Sequence, residues 1–110
     1  MKYMTAAQAV QLIESGDSLY IQGSTSIPEV LSQALAERGQ ELKDVTVYAA
    51  FAVGRCEAPY CRPEYKEAFN VKSLFVANNV RRWLADGYGS TIPAFLGEIP
   101  GLFRDGTLPV

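Results

Sequence analysis

Gly23-Ser24-Thr25-Ser26 puts one glycine and three consecutive hydroxyls between a β-rich run and the start of a helix. In open α/β sheets, ligands bind beyond the carboxyl ends of the strands, where helix N-termini also present free N–H groups. A turn of this kind can hold a carboxylate, a phosphate or a thioester oxygen. Gly23, Ser24, Thr25 and Ser26 are therefore the candidate substrate-binding residues. Chain geometry explains the same four residues without a ligand, with Gly23 turning the chain and Ser26 capping the helix. The segment has neither the GxGxxG spacing of dinucleotide folds nor the GK[ST] ending of a P-loop.

Other reactive side chains form no catalytic set. The chain has no histidine, so neither a Ser-His nor a Cys-His couple can be built. Glu57, Glu64 and Glu67 fall near one irregular stretch, and a charged helix face accounts for them. Arg81-Arg82-Trp83 could place a cation over a ligand. A solvated arginine, an internal ion-pair partner and a core tryptophan would read the same way. Cys56 and Cys61 lack the clustered thiolates, imidazoles or carboxylates that a metal site needs, so they read as two reduced thiols in a loop. The sequence points to no catalytic residue, no metal ligand and no tightly bound cofactor.

Length and charge narrow the class. One small domain fits 110 residues. Twelve acids against ten bases give a net charge of −2, so no basic stripe exists to neutralise phosphates. A nucleic-acid partner is not expected. The N-terminus breaks its apolar residues with Lys2, Gln8, Gln11 and Glu14, unlike a signal peptide or a membrane span. No membrane partner is expected either, and the cytoplasm is the expected compartment.

The elements that must carry the turn can be followed in order. Thr5-Ala6-Ala7-Gln8 has the form of a capping box, with Ala6, Ala9, Val10 and Ile13 on one helix face and Gly16 as a left-handed stop. Ser18 to Gln22 is a short strand. Ser26-Ile27-Pro28-Glu29 reads as a second capping box, with Pro28 in the first turn. Val30, Leu31, Ala34 and Leu35 would line that helix's buried face, and Gly39 would close it. Val45–Ala50 and Val71–Ala77 read as further strands. Irregular chain over 54–62 and a helical piece around Pro63 to Phe69 separate them. Asn78 or Asn79 can cap a helix running to Asp86, ended by Gly87. Strands alternating with helices imply a parallel sheet with helices on both faces, an α/β fold. Three strands with no fourth would leave apolar faces and an open edge uncovered, which favours self-association. The turn at Gly106 that ends the chain should lead into another strand, so the pattern is that of a truncated first domain.

Several of these segments, in order, resemble the amino-terminal region of the acetyl-CoA hydrolase/transferase family, a branch of the class I CoA-transferases. Thr5 to Val10 with Ser15-Gly16-Asp17 is similar to its opening helix and turn. Gly23 to Pro28 with Leu31 and Ala34 to Arg38 is similar to its first loop and helix, and Leu42 to Tyr48 to its second strand. Ala58-Pro59-Tyr60 with Pro63-Glu64 resembles the loop that follows. Asn79, Arg81, Gly87, Ile92-Pro93, Phe95-Leu96, Glu98-Ile99-Pro100, Leu102-Phe103-Arg104, Gly106 and Leu108-Pro109-Val110 follow its asparagine-x-arginine to proline-x-phenylalanine-leucine pattern.

The resemblance implies two similar α/β domains and transfer of CoA between acyl groups through a glutamyl-CoA thioester. It implies acyl-CoA and a small carboxylate as substrates. The attacking glutamate would lie in the second domain, so residues 1–110 alone would be inactive. Only the Gly23–Ser26 loop carries over, near the acid-binding cleft. Relatives often have glycine and phenylalanine where this chain has Ser24 and Thr25. Outside the resemblance, a sugar-phosphate isomerase of related architecture would use the same turn for phosphate, and a non-catalytic binding or assembly module would use it for neither.

Overall fold

A computed structural model describes residues 2–50 and 58–110. Four parallel strands form one sheet in the order β1-β2-β3-β4: β1 Ser18–Ile21, β2 Val45–Ala50, β3 Phe69–Phe75 and β4 Ser90–Thr91. β4 is a strand that residue pattern does not show. Two exposed residues carry no alternation, and they become a strand by pairing with Lys72 and Ser73. The sheet therefore has a fourth strand, against the expectation of three. Gly89 allows this close pairing, because a Cβ there would lie 3.0 Å from the Val71 carbonyl oxygen.

The helices are α1 Ala6–Val10, α2 Glu29–Glu37, α3 Asn78–Ala85 and α4 Ile99–Arg104. Each strand is followed in the sheet by its sequence neighbour, so crossovers of one hand must all cover the same face. The packing agrees. Val45 and Val47 of β2 and Phe69 and Val71 of β3 join Val10, Leu35 and Val80 from α1, α2 and α3 in one buried cluster. The opposite face packs Tyr48, Ala50 and Leu74 against Ile99 and Leu108. Phe103 of α4 meets Tyr20 and Tyr48 edge-on, at centroid distances of 5.3 and 5.8 Å. Helices thus cover both faces of a parallel sheet, as an α/β fold requires.

Local signals are met unevenly. The Thr5–Gln8 capping box forms with both of its hydrogen bonds. Gly16 adopts a left-handed φ of 88° where the chain turns towards β1. The second capping box does not form. Pro28 takes the N-cap position of α2, and no side chain caps that helix. Ala77, not an asparagine, occupies the N-cap of α3. The buried stripe of α2 is Ser32, Leu35 and Ala36, whereas Val30 and Leu31 are exposed. Two small side chains bring the helix close to the sheet, at the cost of a buried Ser32 hydroxyl without a partner among the described residues.

Candidate functional site

The carboxyl ends of the strands set one edge of the sheet, and the Gly23–Ser26 turn lies on it directly after β1. Ser24–Ser26 form a single 3-10 turn in which the Ser26 N–H donates to the Gly23 carbonyl at 3.3 Å and the Ile27 N–H to the Ser24 carbonyl at 3.4 Å. Gly23 is half-buried, and Ser24, Thr25 and Ser26 are exposed. All three hydroxyl-bearing residues are therefore open to solvent ahead of α2. Ser24 holds a φ of 58°, in the left-handed region that residues other than glycine avoid. Its neighbour Glu29 lies in the first turn of α2 and places a negative charge beside the turn. The turn itself supplies only neutral hydrogen-bonding groups, and the carboxylate next to it in the chain is that of the exposed Glu29.

Next along the same edge, β3 ends in a bulge. Ala49 pairs with Ser73 and Ala50 with Phe75, so Leu74 is the extra residue. The buried Ser73 hydroxyl donates to the Phe75 carbonyl at 2.8 Å and fixes this end of the strand. Beyond it opens a hollow of about 480 Å³ bounded by the ends of β3 and β4 and the chain running on to Phe95 and Glu98. Sequence reasoning missed it. Its walls come from separate segments, and the signal for it, the apolar pair Ile92-Pro93 after a two-residue strand, is too short to read alone.

The remaining candidates divide clearly. Cys61 is not a loop thiol. It is buried in the core, where desolvation pushes its thiol up to about 11 and its Sγ lies 3.6 Å from the Tyr88 carbonyl oxygen. Such a thiol is neither a nucleophile nor a metal ligand at neutral pH. Cys56 and Glu57 lie outside the described residues. Glu64 and Glu67 are exposed, as a charged surface requires. Arg81 and Arg82 are both exposed, so neither is an internal ion-pair partner. Arg82 stacks over the half-buried Trp83 at 4.0 Å from its ring. Asp105 is held below the usual carboxylate range by hydrogen bonds from the Thr107 hydroxyl and N–H, a turn device at the end of α4. Among the described residues no group of three or more histidine, cysteine, aspartate or glutamate side chains could hold a metal ion. Among the described residues no helix is long and apolar enough to cross a membrane.

The family model for the acetyl-CoA hydrolase/transferase N-terminal domain matches residues 1–109. This chain belongs to that family. The acetyl-CoA hydrolase/transferase assignment accords with curated relatives. A butyryl-CoA:acetate CoA-transferase of Anaerostipes caccae is 27% identical over 94% of this chain and 23% of its own length. A succinyl-CoA:acetate/propanoyl-CoA:succinate CoA transferase of Fasciola hepatica is 31% identical over 84% of this chain and 19% of its own length. The crystal structure of RipA from Yersinia pestis superposes with a TM-score of 0.79 and 25% identity, over 93% of this chain and 26% of that one. The chain thus spans about a quarter or less of the proteins it matches. The family match favours the CoA-transferase resemblance over the sugar-phosphate isomerase alternative.

Proposed function

We propose that this chain is the N-terminal part of a CoA-transferase or acyl-CoA hydrolase that moves CoA between acyl groups, with an acyl-CoA and a small carboxylate as substrates. The family match over residues 1–109 carries the reading. The attacking glutamate belongs to a further domain. Its carboxylate takes CoA from the incoming thioester as a glutamyl-CoA and passes it to the acceptor, so one hard exchange becomes two easier ones. Donors aimed at the developing oxyanion lower both barriers. The part of Gly23, Ser24, Thr25 and Ser26 is to hold the carboxylate of the acid. They are exposed, uncharged donors at the strand edge where such folds bind ligands. A cytoplasmic setting suits CoA chemistry. Homo-oligomer formation belongs to the same reading, supported by exposed Leu12 and Val30 on the helical side.

The test is transfer. The full-length protein carrying this domain, given butyryl-CoA and acetate, should form acetyl-CoA, whereas residues 1–110 alone should form none. Turnover by residues 1–110 alone would relocate the chemistry, and no turnover by the full-length protein would remove the reading.

A further inference from the structure

The connections from β1 to β4 step across the sheet in one direction, and Leu35, Cys61 and Val80, one from each, pack on the same face. α4 follows β4 but packs on the opposite face, through Ile99. A right-handed connection on that face has to step back the other way. α4 does so. Its Phe103 stands edge-on to Tyr20, 5.3 Å between ring centroids, on the strand at the far end of the sheet from β4. Among the described residues nothing pairs with the outer side of β1. The Thr46 N–H donates to the Asp17 carbonyl at 2.9 Å. By the alternation of a parallel ladder, Tyr20 therefore turns its own N–H and carbonyl away from β2, towards that open side. Along β1, under α1 and α2, runs a hollow of about 270 Å³ walled by Ile13, Leu19, Ile21, Leu31, Ser32 and Leu35.

We infer that a further parallel strand, from the chain that follows α4 in the full-length protein, pairs with the open edge of β1 and fills this hollow. The inference rests on the reading of residues 1–110 as the N-terminal part of a longer CoA-transferase. The face and direction taken by α4 say what covers the edge, because a right-handed return from β4 over β1 delivers the chain there. The chain covers only 23% of a curated relative and 26% of RipA, which leaves ample length to supply a strand. Every second side chain of that strand enters the hollow, whose walls, Ser32 apart, call for aliphatic ones. β1 then becomes an interior strand at which the strand order reverses. In such sheets the ligand crevice opens beyond the carboxyl end of the strands at the reversal, and the Gly23–Ser26 turn follows β1 at that point. This places a ligand over the turn for a reason independent of its hydroxyls.

The experiment follows amide hydrogen exchange at Tyr20 in the native full-length protein. A paired β1 should slow it by a thousandfold or more, on the order of other interior strands. Tyr20→Pro, set against Tyr20→Ala to remove the side-chain contact, is the second measurement. Proline is tolerated where the N–H faces solvent and not where a ladder needs it, so the proline variant should melt about 5 °C or more below the alanine one. Fast exchange at Tyr20 with the two variants melting alike would leave β1 an edge and overturn the inference. Protection that is lost on dilution to monomer would assign the edge to a second copy, and overturn it too. Transfer of CoA from butyryl-CoA to acetate is scored separately on the same protein, so an edge left open and an absent transferase are distinct results.

Discussion

Arg38 reaches back across the fold to Val10, its Nη1 donating to the last carbonyl of α1 at 2.5 Å. The same nitrogen also donates to the Ile13 carbonyl at 2.6 Å. A short helix leaves its final carbonyls without internal partners, and a guanidinium there supplies donors and a charge matched to the helix dipole. The head group is nearly covered, with its side chain 12% exposed. Arg38→Met should therefore lower stability by about 2–4 kcal/mol, since it removes two charge-assisted hydrogen bonds and leaves the Val10 carbonyl with only the Ile13 N–H. Arg38→Lys should recover part of that. Urea midpoints at constant m-value are the measurement, and a loss below 1 kcal/mol would reduce the contact to decoration.

Gly39 carries no left-handed φ, so its role is room for a neighbour. The Tyr65 ring lies where a Cβ would be, with its Cε1 only 2.7 Å from that position. Gly39→Ala should cost about 1–3 kcal/mol through overpacking. Tyr65→Leu in the same chain should restore most of it. A double-mutant cycle reads the coupling, and additive losses would place the strain elsewhere.

These contacts mark the limit of what the residues disclose. The Thr5–Gln8 capping box and strands β1 to β3 were legible because each rests on local chemistry or on a run of β-branched and apolar residues. β4 was not, because Ser90 and Thr91 are a strand through pairing alone. The buried face of α2 was misplaced by one position, because Ser32 is polar and yet packs inward. The Gly23–Ser26 turn was found by residue type, but its strained member was not. Nothing in a serine announces a positive φ.

Ser24 offers a direct check of that strain. A residue other than glycine at a φ of 58° costs of order 1–2 kcal/mol. Ser24→Gly relieves it but gives the unfolded chain more freedom, so the net change should lie within about 0.5 kcal/mol. Ser24→Val, whose branched Cβ tolerates this region poorly, should lose more than about 1 kcal/mol. Equal stability of the serine and valine chains in urea would show that the turn relaxes.

The buried Cys61 thiol predicts a pH dependence. Its pKa rises from an ordinary 9.0 to about 11 in the fold because burial disfavours the thiolate. The folded state therefore holds the proton more tightly than the unfolded one. That contribution is fully present below pH 9 and is lost as pH climbs towards 11. Other groups titrate there too, so the quantity to follow is the difference between the parent chain and Cys61→Ala from pH 8 to 10.5. It should shrink as pH rises. In a Cys56→Ser background, the remaining thiol should resist a thiol reagent at pH 8 until urea unfolds the chain. Prompt labelling of the native protein would contradict the burial.

Thr25 decides whether the turn holds a ligand. It follows Ser24 in the turn, is exposed, and caps no helix, since α2 begins at Glu29 with Pro28 before it. Its hydroxyl is free of structural duty in a way that a true cap would not be. Ser26 is as clean a position, because the capping bond that residue type suggested does not form. Thr25→Ala and Ser26→Ala should thus leave the melting temperature unchanged. If the turn binds the acid, Thr25→Ala should lower kcat/KM for the acceptor carboxylate by roughly ten- to a hundredfold, the worth of a hydrogen bond to a charged group. The acyl-CoA half-reaction of the full-length protein, followed without acceptor, separates this from a general loss of activity. An unchanged kcat/KM at an unchanged melting temperature would leave the turn as scaffold and send the search for the acid's partner to the other strand ends.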